Sequence, residues 1–304
     1  MVAATEKGRA PDDVEQIPTL FRQTCHDLAI AQNRLHRRAL IERLNELAIR
    51  SYRSLERRSA GGWERIFQTL TVTFPKAFRS EWRLFWFCSL IFWGPFLAFA
   101  LWTPHDPEWA MALLGPKQMI ALEEMYGGHE TTQEFLRKEH GSDFMMFCFY
   151  IYNNVGIDLR TFAGGLLGGV GSLFILLFNG LQIGASTGYI HHACSPTSFY
   201  CFTTGHSAPE LLGMVISGMA GMRLGLAFLL PGPHDRKTAL QLGGRRAILL
   251  LAGAAALTAF AAIIEGFWSA RILAPWIKYT FGACMWTATI AYLTLAGRNS
   301  NHAP

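Results

Sequence analysis

The chain has 304 residues, of which 51% are hydrophobic and only 16% are charged, and its mean hydropathy is +0.20. Several apolar runs approach 20 residues, a length that soluble globular proteins rarely contain. The composition therefore excludes an ordinary soluble domain and predicts an all-α, polytopic helical membrane protein. Nucleic-acid binding is disfavoured despite the net charge of +5, because the basic residues alternate with glutamate along helical repeats.

The N-terminal quarter of the chain reads as a polar tail followed by a basic helical domain. We expect residues 1–18 to be flexible and not a cleavable signal peptide, since they hold four acidic residues and no apolar core. Over 19–83, apolar residues recur at three- and four-residue steps, as in amphipathic helices. Residues 1–83 carry 15 Lys/Arg against 10 Asp/Glu, which predicts a cytoplasmic position near anionic lipid.

The rest of the chain contains enough apolar segments for about six transmembrane spans. The second span is short and carries two adjacent asparagines, so we expect a short or broken helix there. The six predicted spans lie near 84–102, 144–159, 161–190, 208–230, 247–268 and 276–296.

The charges between the spans predict which side of the membrane each connection occupies. Segment 103–143 carries 3 Lys/Arg against 8 Asp/Glu, whereas the loop 231–246 carries four against one. We therefore expect the protein to lie in the cell inner membrane with the acidic segment on its outer side. Both termini, including the short tail 297–304, are expected in the cytoplasm. Arg271 and Lys278, in the last outer loop, oppose this bias.

Ionisable residues at the start of the fourth span admit two interpretations. Ser207 and Glu210 have the Ser-x-x-Glu spacing of a capping box, and Pro209 suits a first helical turn. Alternatively, His206 and Glu210 pair and face a polar cavity or a partner. A metal site is disfavoured, because two ligands stand here without an HExxH motif or a clear third ligand. We therefore expect neither a metal nor a cofactor.

Other polar residues fall inside the apolar spans. Arg223 is expected to extend to the cytoplasmic headgroups, while Glu265 is either interfacial or paired with an arginine. Asn153, Asn154 and Asn179 are expected to bridge helices by hydrogen bonds, with the lining of a polar cavity as the rival interpretation.

Small residues recur every four positions in the third and fourth spans, so each set forms a stripe along one helix face. Because small residues let backbones approach closely, we expect these two spans to pack tightly; glycines lining a permeation path are the alternative. The stripes consist of Gly180, Gly184 and Gly188 in the third span and of Gly213, Ser217, Gly221 and Gly225 in the fourth.

The six cysteines are scattered, without a CxxC motif or a Cys/His cluster, which argues against a thiolate zinc site. Cys194 and Cys201 fall in a predicted outer loop. A disulfide between them is compatible with an oxidising compartment, although spacing alone does not define its geometry.

A series of short motifs follows in a fixed order along the chain. They are CHDLAIAQNR (25–34), FPKAFR (74–79), YNN (152–154), FAGGLLGGVGSLFILLFNGLQIG (162–184), GHSAPE (205–210), MVISGMAGMRLGLAFLLPG (214–232) and IIEGFW (263–268). Together they resemble the stage II sporulation protein M family, in its long, Gram-negative-type form, over most of residues 20–296. The resemblance implies an integral membrane protein without demonstrated catalytic chemistry, which in spore-formers acts with cell-wall-degrading partners during engulfment.

Two functions are compatible with these features. The first is a non-enzymatic membrane protein that scaffolds or anchors an envelope-associated complex, with membrane lipid and protein partners and with homo-oligomerisation left open. The rival is a transporter or channel-like subunit, suggested by the broken second span and the buried polar groups. An enzyme ranks third, because the sequence assembles neither a nucleophile–base pair nor a metal set.

Overall fold

The computed structural model describes residues 17–34, 37–58, 62–128 and 131–298. Within these ranges every regular element is a helix, in agreement with the all-α prediction. The chain divides into two compact units, one ending at Thr69 and the other beginning at Leu70. The expected flexible tail, 1–18, lies almost wholly outside the described residues.

In its described part, the N-terminal unit contains three helices, α1 (Ile17–Asn33), α2 (Arg38–Arg58) and α3 (Gly62–Gln68). Helices α1 and α2 contact each other, and the Phe21 and Tyr52 rings lie 6.2 Å apart across this contact. Ion pairs between residues four apart, such as Arg38 with Glu42, lie on the exposed surface of α2.

The larger unit contains eleven α-helices within the described residues. They are α4 (Phe74–Ser80), α5 (Trp82–Trp102), α6 (Glu108–Tyr126), α7 (Thr132–His140), α8 (Asp143–Tyr150), α9 (Gly156–Ala163), α10 (Val170–Ala193), α11 (Pro196–Thr203), α12 (Ser207–Leu229), α13 (Arg236–Ile264) and α14 (Pro275–Leu295). π-helical turns occupy Thr69–Thr73, Ile151–Val155 and Glu265–Ser269, and a 3₁₀ turn occupies Gly164–Leu167.

Helix α4 belongs to the larger unit, although we had placed residues up to 83 in the N-terminal domain. Phe74 is fully buried, and its ring fills the space beside Gly253 of α13, where no Cβ would fit. Arg79 donates from Nη1 to the Leu293 carbonyl of α14 at 3.0 Å. The apolar side chains of α4 therefore bind it to the helical bundle.

Among the residues that the structure describes, four helices are long and apolar enough to cross a membrane: α5, α10, α12, and α13 with its π-helical extension to Ser269. The expected second span, 144–159, falls on α8, a π-helical turn and α9, so this segment is broken around its two asparagines. The expected sixth span, 276–296, falls on α14, which is 21 residues long. Six crossings stay a prediction, since length and composition support four.

The expected third span, 161–190, is not one continuous helix. Its first residues end α9, and α10 begins only at Val170. Gly168 and Gly169, with φ of +67° and +90°, adopt left-handed conformations that residues with a Cβ rarely accept. This glycine pair ends the preceding 3₁₀ turn and redirects the chain.

Helix α12 lies at the centre of the larger unit and contacts α5, α9, α10, α13 and α14. Its side chains are apolar around most of the circumference, and Val215, Ile216 and Met219 are fully buried. A helix that is apolar on all faces is either a core helix or a lipid-facing span. Here 72% of its most apolar window is buried inside the protein, so α12 is the core helix of the bundle.

Small residues on α12 bring its backbone close to two neighbours. Gly213 lies against α13, whereas Gly221 and Gly225 lie against α9 and the connection from α9 to α10. A Cβ on Gly221 would lie 3.0 and 2.9 Å from the carbonyl oxygens of Thr161 and Phe162. These distances leave no room for any side chain, so glycine is required for the observed helix spacing.

The stripe on α10 has a different partner from the one expected. Gly180 and Gly184 lie against the carbonyl groups of Phe92 and Phe96, and Gly188 lies against the end of α5. We had predicted that the third and fourth spans pack tightly through their stripes. The α12 stripe does lie against the third span, since a Cβ on Gly221 would overlap Ser172 Oγ of α10. The α10 glycines instead seat α5, because their open face is occupied by the α5 backbone.

An ion-pair cluster joins the N-terminal end of α5 to α12 and α13. Glu81 Oε1 lies 3.1 Å from Arg223 Nε and 3.2 Å from Arg246 Nε. Arg223 therefore has a protein partner, which corrects the prediction that it extends only to lipid headgroups. One carboxylate shared by two guanidinium groups fixes three helices at this end of the bundle.

We predict that Gly221→Leu lowers the thermal stability of the bundle without preventing membrane insertion. The leucine side chain would force α12 away from α9, at a cost on the order of 1–3 kcal/mol from overpacking. Detergent melting curves of the purified variant measure this effect.

The matched control is Gly94→Leu on α5, because a Cβ on Gly94 meets no atom within 4 Å. This variant should melt like the wild type. Equal melting of both leucine variants would contradict the role of Gly221 in packing.

Candidate functional site

A buried layer of polar side chains lies at the N-terminal end of α12. His206, which precedes the helix, is 5% exposed. Its Nε2 lies 3.8 Å from Glu210 Oε2 and 3.8 Å from Glu265 Oε1. Its Nδ1 lies 2.8 Å from the Ser269 hydroxyl. One imidazole thus stands between two carboxylates and a hydroxyl group, and we call His206, Glu210 and Glu265 the His–Glu cluster.

Two π-helical turns bring side chains from distant parts of the chain to this cluster. Asn154 lies in the turn after α8, and Glu265 begins the turn after α13. Asn154 Nδ2 donates to Glu265 Oε2 at 3.3 Å, and Asn153 Nδ2 donates to Asn154 Oδ1 at 2.8 Å. A π-helical turn shifts the register of the side chains that follow, and such turns frequently occur at functional sites.

The predicted capping box at Ser207 and Glu210 does not form. His206 occupies the N-cap position, and no side chain caps the helix. The Ser207 hydroxyl donates to the Thr204 carbonyl at 3.2 Å and accepts from Trp286 Nε1 at 3.1 Å. Since a residue of α14 engages Ser207, Glu210 is left to face His206, as in the alternative interpretation.

Lys278 lies behind the His–Glu cluster and is almost fully buried. Its Nζ donates to the carbonyls of Trp268 and Ser269 at 3.1 and 2.8 Å, and it stands 4.1 Å from the centre of the Trp268 ring. The ammonium group is therefore held by two carbonyls and a cation–π contact. Because Lys278 is buried and bound in this way, it is not an exposed charge of the outer loop, which explains why it opposes the charge bias of the outer loops.

A third carboxylate inside the bundle, Asp158, lies on α9. It is 1% exposed, and the Thr258 hydroxyl of α13 lies beside its carboxylate. The hydroxyl of Ser217 on α12 donates to the backbone carbonyl of Asp158. Sequence reasoning missed Asp158, because it stands in a segment read as the end of a short span.

A pocket of about 580 Å³ leads towards the polar layer from the side of α6 and α11. Its lining includes Tyr126, Phe202, Ser269 and Lys278. The Phe202 ring also packs on the His206 imidazole, with centroids 5.4 Å apart. Burial raises the pKa of the Tyr126 phenol, so this rim residue stays neutral. The pocket thus ends at residues that touch His206 directly.

Three further predictions can be compared with the structure. Asn154 does connect helices, through its bond to Glu265. Asn153 donates to its neighbour Asn154, and Asn179 Nδ2 donates to Ile175 O of its own helix at 2.8 Å, so neither bond forms a helix bridge. Cys194 and Cys201 are free thiols. Cys194 directs its sulfur to the Leu122 carbonyl at 3.8 Å, so the thiol is engaged by α6 and no disulfide forms.

Comparison with known families gives two matches. Residues 84–270 match the family described as Stage II sporulation protein M, which is more than half of the chain. The chain belongs to the stage II sporulation protein M family. Residues 2–57 match a second family, described as a domain of unknown function, DUF8413.

Neither the curated proteins nor the solved structures contain a significant match to this chain. The stage II sporulation protein M region, 84–270, includes the whole His–Glu cluster together with Asn154 and Ser269. Lys278 lies beyond it.

Sequence reasoning found most of the individual residues of the site but not their arrangement. His206, Glu210, Asn154 and Glu265 were all singled out as polar residues in apolar spans. The third member of the His–Glu cluster, Glu265, comes from another helix, so no local sequence spacing could indicate that it lies beside His206. Ser269 carried no signal, because a serine at a helix end is common.

We predict that Lys278→Met destabilises this family member. The methionine would fit a similar volume but would leave the two carbonyls without their donor, and hydrogen bonds to charged groups contribute about 1.5–3 kcal/mol each. The melting temperature in detergent should fall clearly.

Arg271→Met is the control, because it removes the same charge from the connection that precedes α14. Arg271 pairs with Asp143, but its side chain is 43% exposed, and exposed pairs contribute only about 0–1 kcal/mol. An equal fall in the melting temperature of both variants would mean that the hydrogen bonds of Lys278 add no stability beyond the effect of its charge.

Proposed function

We propose that this protein is a non-enzymatic membrane protein that scaffolds or anchors an envelope-associated complex. The observation that carries the proposal is the way the acidic segment between α5 and α8 is held. It forms two helices: α6 is bonded to the bundle through side-chain and backbone groups, and α7 packs on it through the buried Leu136. A fixed, charged surface beside an apolar bundle is suited to holding a partner in one orientation.

Two hydrogen bonds and a bend seat α6 on the bundle. The Tyr189 hydroxyl of α10 donates to Glu123, and the Ser195 amide donates to the Tyr126 carbonyl at 3.2 Å. Helix α6 bends at Gly115, whose φ of 73° is a left-handed conformation, so that both of its halves follow the bundle. The surface is therefore anchored at several points.

Helix α7 begins with a capping box that fixes its orientation. The Thr131 side chain accepts from the Glu134 amide at 3.2 Å, and the Thr131 amide donates to Glu134 Oε2 at 3.0 Å. These hydrogen bonds lower the pKa of Glu134, so it stays ionised at neutral pH. Glu108, Glu124 and Glu139 are also exposed on these helices. A partner with a basic surface would complement them.

The proposed topology has six crossings, with both termini in the cytoplasm and the acidic segment outside the inner membrane. Two observations support it. Arg271, which opposes the charge bias, is paired with Asp143, and Lys278 is buried. Neither residue then counts as a free positive charge of the outer loops, so the remaining charges follow the positive-inside rule.

Transport of an ion or small solute is the second candidate function. The observation that favours it is the set of buried ionisable groups, Glu210, Glu265 and Asp158, inside the bundle. Intramembrane carboxylates mark ion and proton pathways in many transporters. Solute flux in proteoliposomes that depends on Asp158 would favour this function over the scaffold.

We predict that reversing the charges of the acidic surface weakens capture of its partner. The triple variant Glu108→Lys, Glu124→Lys and Glu139→Lys should reduce crosslinked complex by about tenfold at low salt, since complementary charges govern association. Mild crosslinking in the native membrane followed by co-purification measures the loss.

Glu42→Lys, a charge reversal in the N-terminal unit, is the control and should retain the same crosslinked product. Retention of that product by the triple variant would argue against docking on α6 and α7. A normal melting curve for the triple variant is required, because it shows that the bundle is intact.

Thiol labelling tests the topology. Cys201 should react with an impermeant reagent from outside, whereas a cysteine introduced by His234→Cys, in the exposed turn after α12, should react only after the membrane is opened. The reverse pattern would contradict the proposed orientation.

The pH dependence of labelling serves as an internal check. Burial and the neighbouring Glu123 raise the pKa of Cys194. Because the thiolate is the reactive form, Cys194 labelling should be slow at neutral pH and should rise only above the usual thiol range.

A further inference from the structure

The His–Glu cluster has the composition and spacing of a metal site. His206, Glu210 and Glu265 each offer one ligand atom, and these atoms all lie within 4.8 Å of one another. We propose that they bind one divalent transition-metal ion of the zinc class. The site is separate from the docking surface on α6 and α7, so it goes beyond the proposed scaffold function.

The charge balance of the cluster requires a positive partner. Glu210 and Glu265 bring two carboxylates into one layer of the bundle, where their side chains are 19% and 8% exposed. Within the described residues, neither forms an ion pair with a lysine or an arginine. Lys278 binds backbone carbonyls instead. Buried carboxylates are costly unless they are paired or coordinate a metal, and one dication would offset both charges.

The distances are close to those of an occupied site. Zinc bonds imidazole nitrogen and carboxylate oxygen at about 2.0–2.2 Å, so tetrahedral ligand atoms stand roughly 3.3–3.6 Å apart. Each of the two 3.8 Å separations from His206 Nε2 is wider by only a few tenths of an ångström. Small side-chain rotations of the two glutamates would close this difference.

The ligands are already oriented by neighbouring residues. Ser269 holds the Nδ1 side of the imidazole at 2.8 Å, which turns Nε2 towards the carboxylates. Asn154 donates to Oε2 of Glu265, which leaves Oε1 directed at His206. Metal-binding histidines and carboxylates characteristically have such hydrogen-bond partners on their non-coordinating atoms.

A pocket ends beside the cluster. The pocket beside α6 and α11 is lined by Ser269 and Phe202, both of which touch His206. An ion can approach from this side, and a water molecule from the pocket can complete the coordination of a site with three protein ligands. Imidazole with carboxylates suits zinc, manganese and ferrous iron, and zinc is the ion that favours four-coordination.

Two other interpretations of the cluster are testable rivals. The carboxylates could share a proton, in which case no metal is bound. Alternatively, Ser269 and His206 could form a nucleophile–base pair. The Ser269 side chain is buried, with the residue 3% exposed, and Nε2 of His206 is 3.8 Å from each carboxylate, which is too long for the orienting hydrogen bond of a catalytic triad.

Zinc binding by the purified full-length protein decides among these interpretations. After chelator treatment and titration with zinc chloride, elemental analysis should find one zinc per chain. Zinc should also raise the melting temperature, because it binds the folded state. X-ray absorption at the zinc edge should show only nitrogen and oxygen neighbours. A sulfur neighbour would place the ion on cysteine and overturn the proposal.

Substitutions assign the ion to the cluster. Glu265→Gln and His206→Gln should each abolish stoichiometric binding, and Ser269→Ala, a positioning variant, should weaken affinity by about 10–100-fold. Asp158→Asn removes a buried carboxylate that is not a ligand but interacts electrostatically with Glu210, so this variant should keep one zinc per chain with a weaker affinity.

Less than a tenth of an equivalent of zinc in the wild type, or full binding by Glu265→Gln, would overturn the proposal. If a ligand variant fails to fold, the wild-type stoichiometry and absorption spectrum still decide. Loss of zinc with unchanged partner crosslinking would leave the scaffold function intact, so the two proposals fail separately.

Discussion

The structure depends on one helix, α12, which carries polar groups at both ends and in its middle. Other segments of the protein surround this helix. No water is available inside a bilayer, so each polar group on such a helix needs a partner from the protein. His206 has Ser269, Ser217 has the Asp158 carbonyl, and Arg223 has Glu81. The helices around α12 are therefore placed by its polar groups as well as by its apolar surface.

Close helix spacing and polar pairing are coupled in this bundle. The Ser217 hydroxyl can reach the α9 backbone only because Gly221, one turn further along, allows the two helices to touch. In the same way, the π-helical turns place Asn154 and Glu265 in one layer. Glycines and π-helical turns each weaken a helix locally. Here both occur where they allow a polar contact across the core.

The sequence predicted elements and residue types better than it predicted partners. Apolar runs identified α5, α10, α12 and α13, and periodic glycines identified close-packed faces, because both signals are local. The capping box failed because Trp286, 79 residues away, engages Ser207. Arg223 was assigned to lipid because Glu81 lies on another helix. Glu265 was recognised as unusual, but its position beside His206 depends on how α12 and α13 pack, which no local spacing encodes.

The docking surface and the His–Glu cluster share a boundary. Tyr126 ends α6 and lines the pocket that leads to Ser269 and His206. Its ring packs edge-on against Phe199 of α11, with centroids 5.4 Å apart. A partner seated on α6 would therefore press on the wall of the pocket through which an ion enters. Tyr126 also lies beside the Phe202 ring of α11, with centroids 6.5 Å apart, and Phe202 packs on the His206 imidazole. The end of α6 is therefore joined to the His–Glu cluster through aromatic side chains that line the pocket between them.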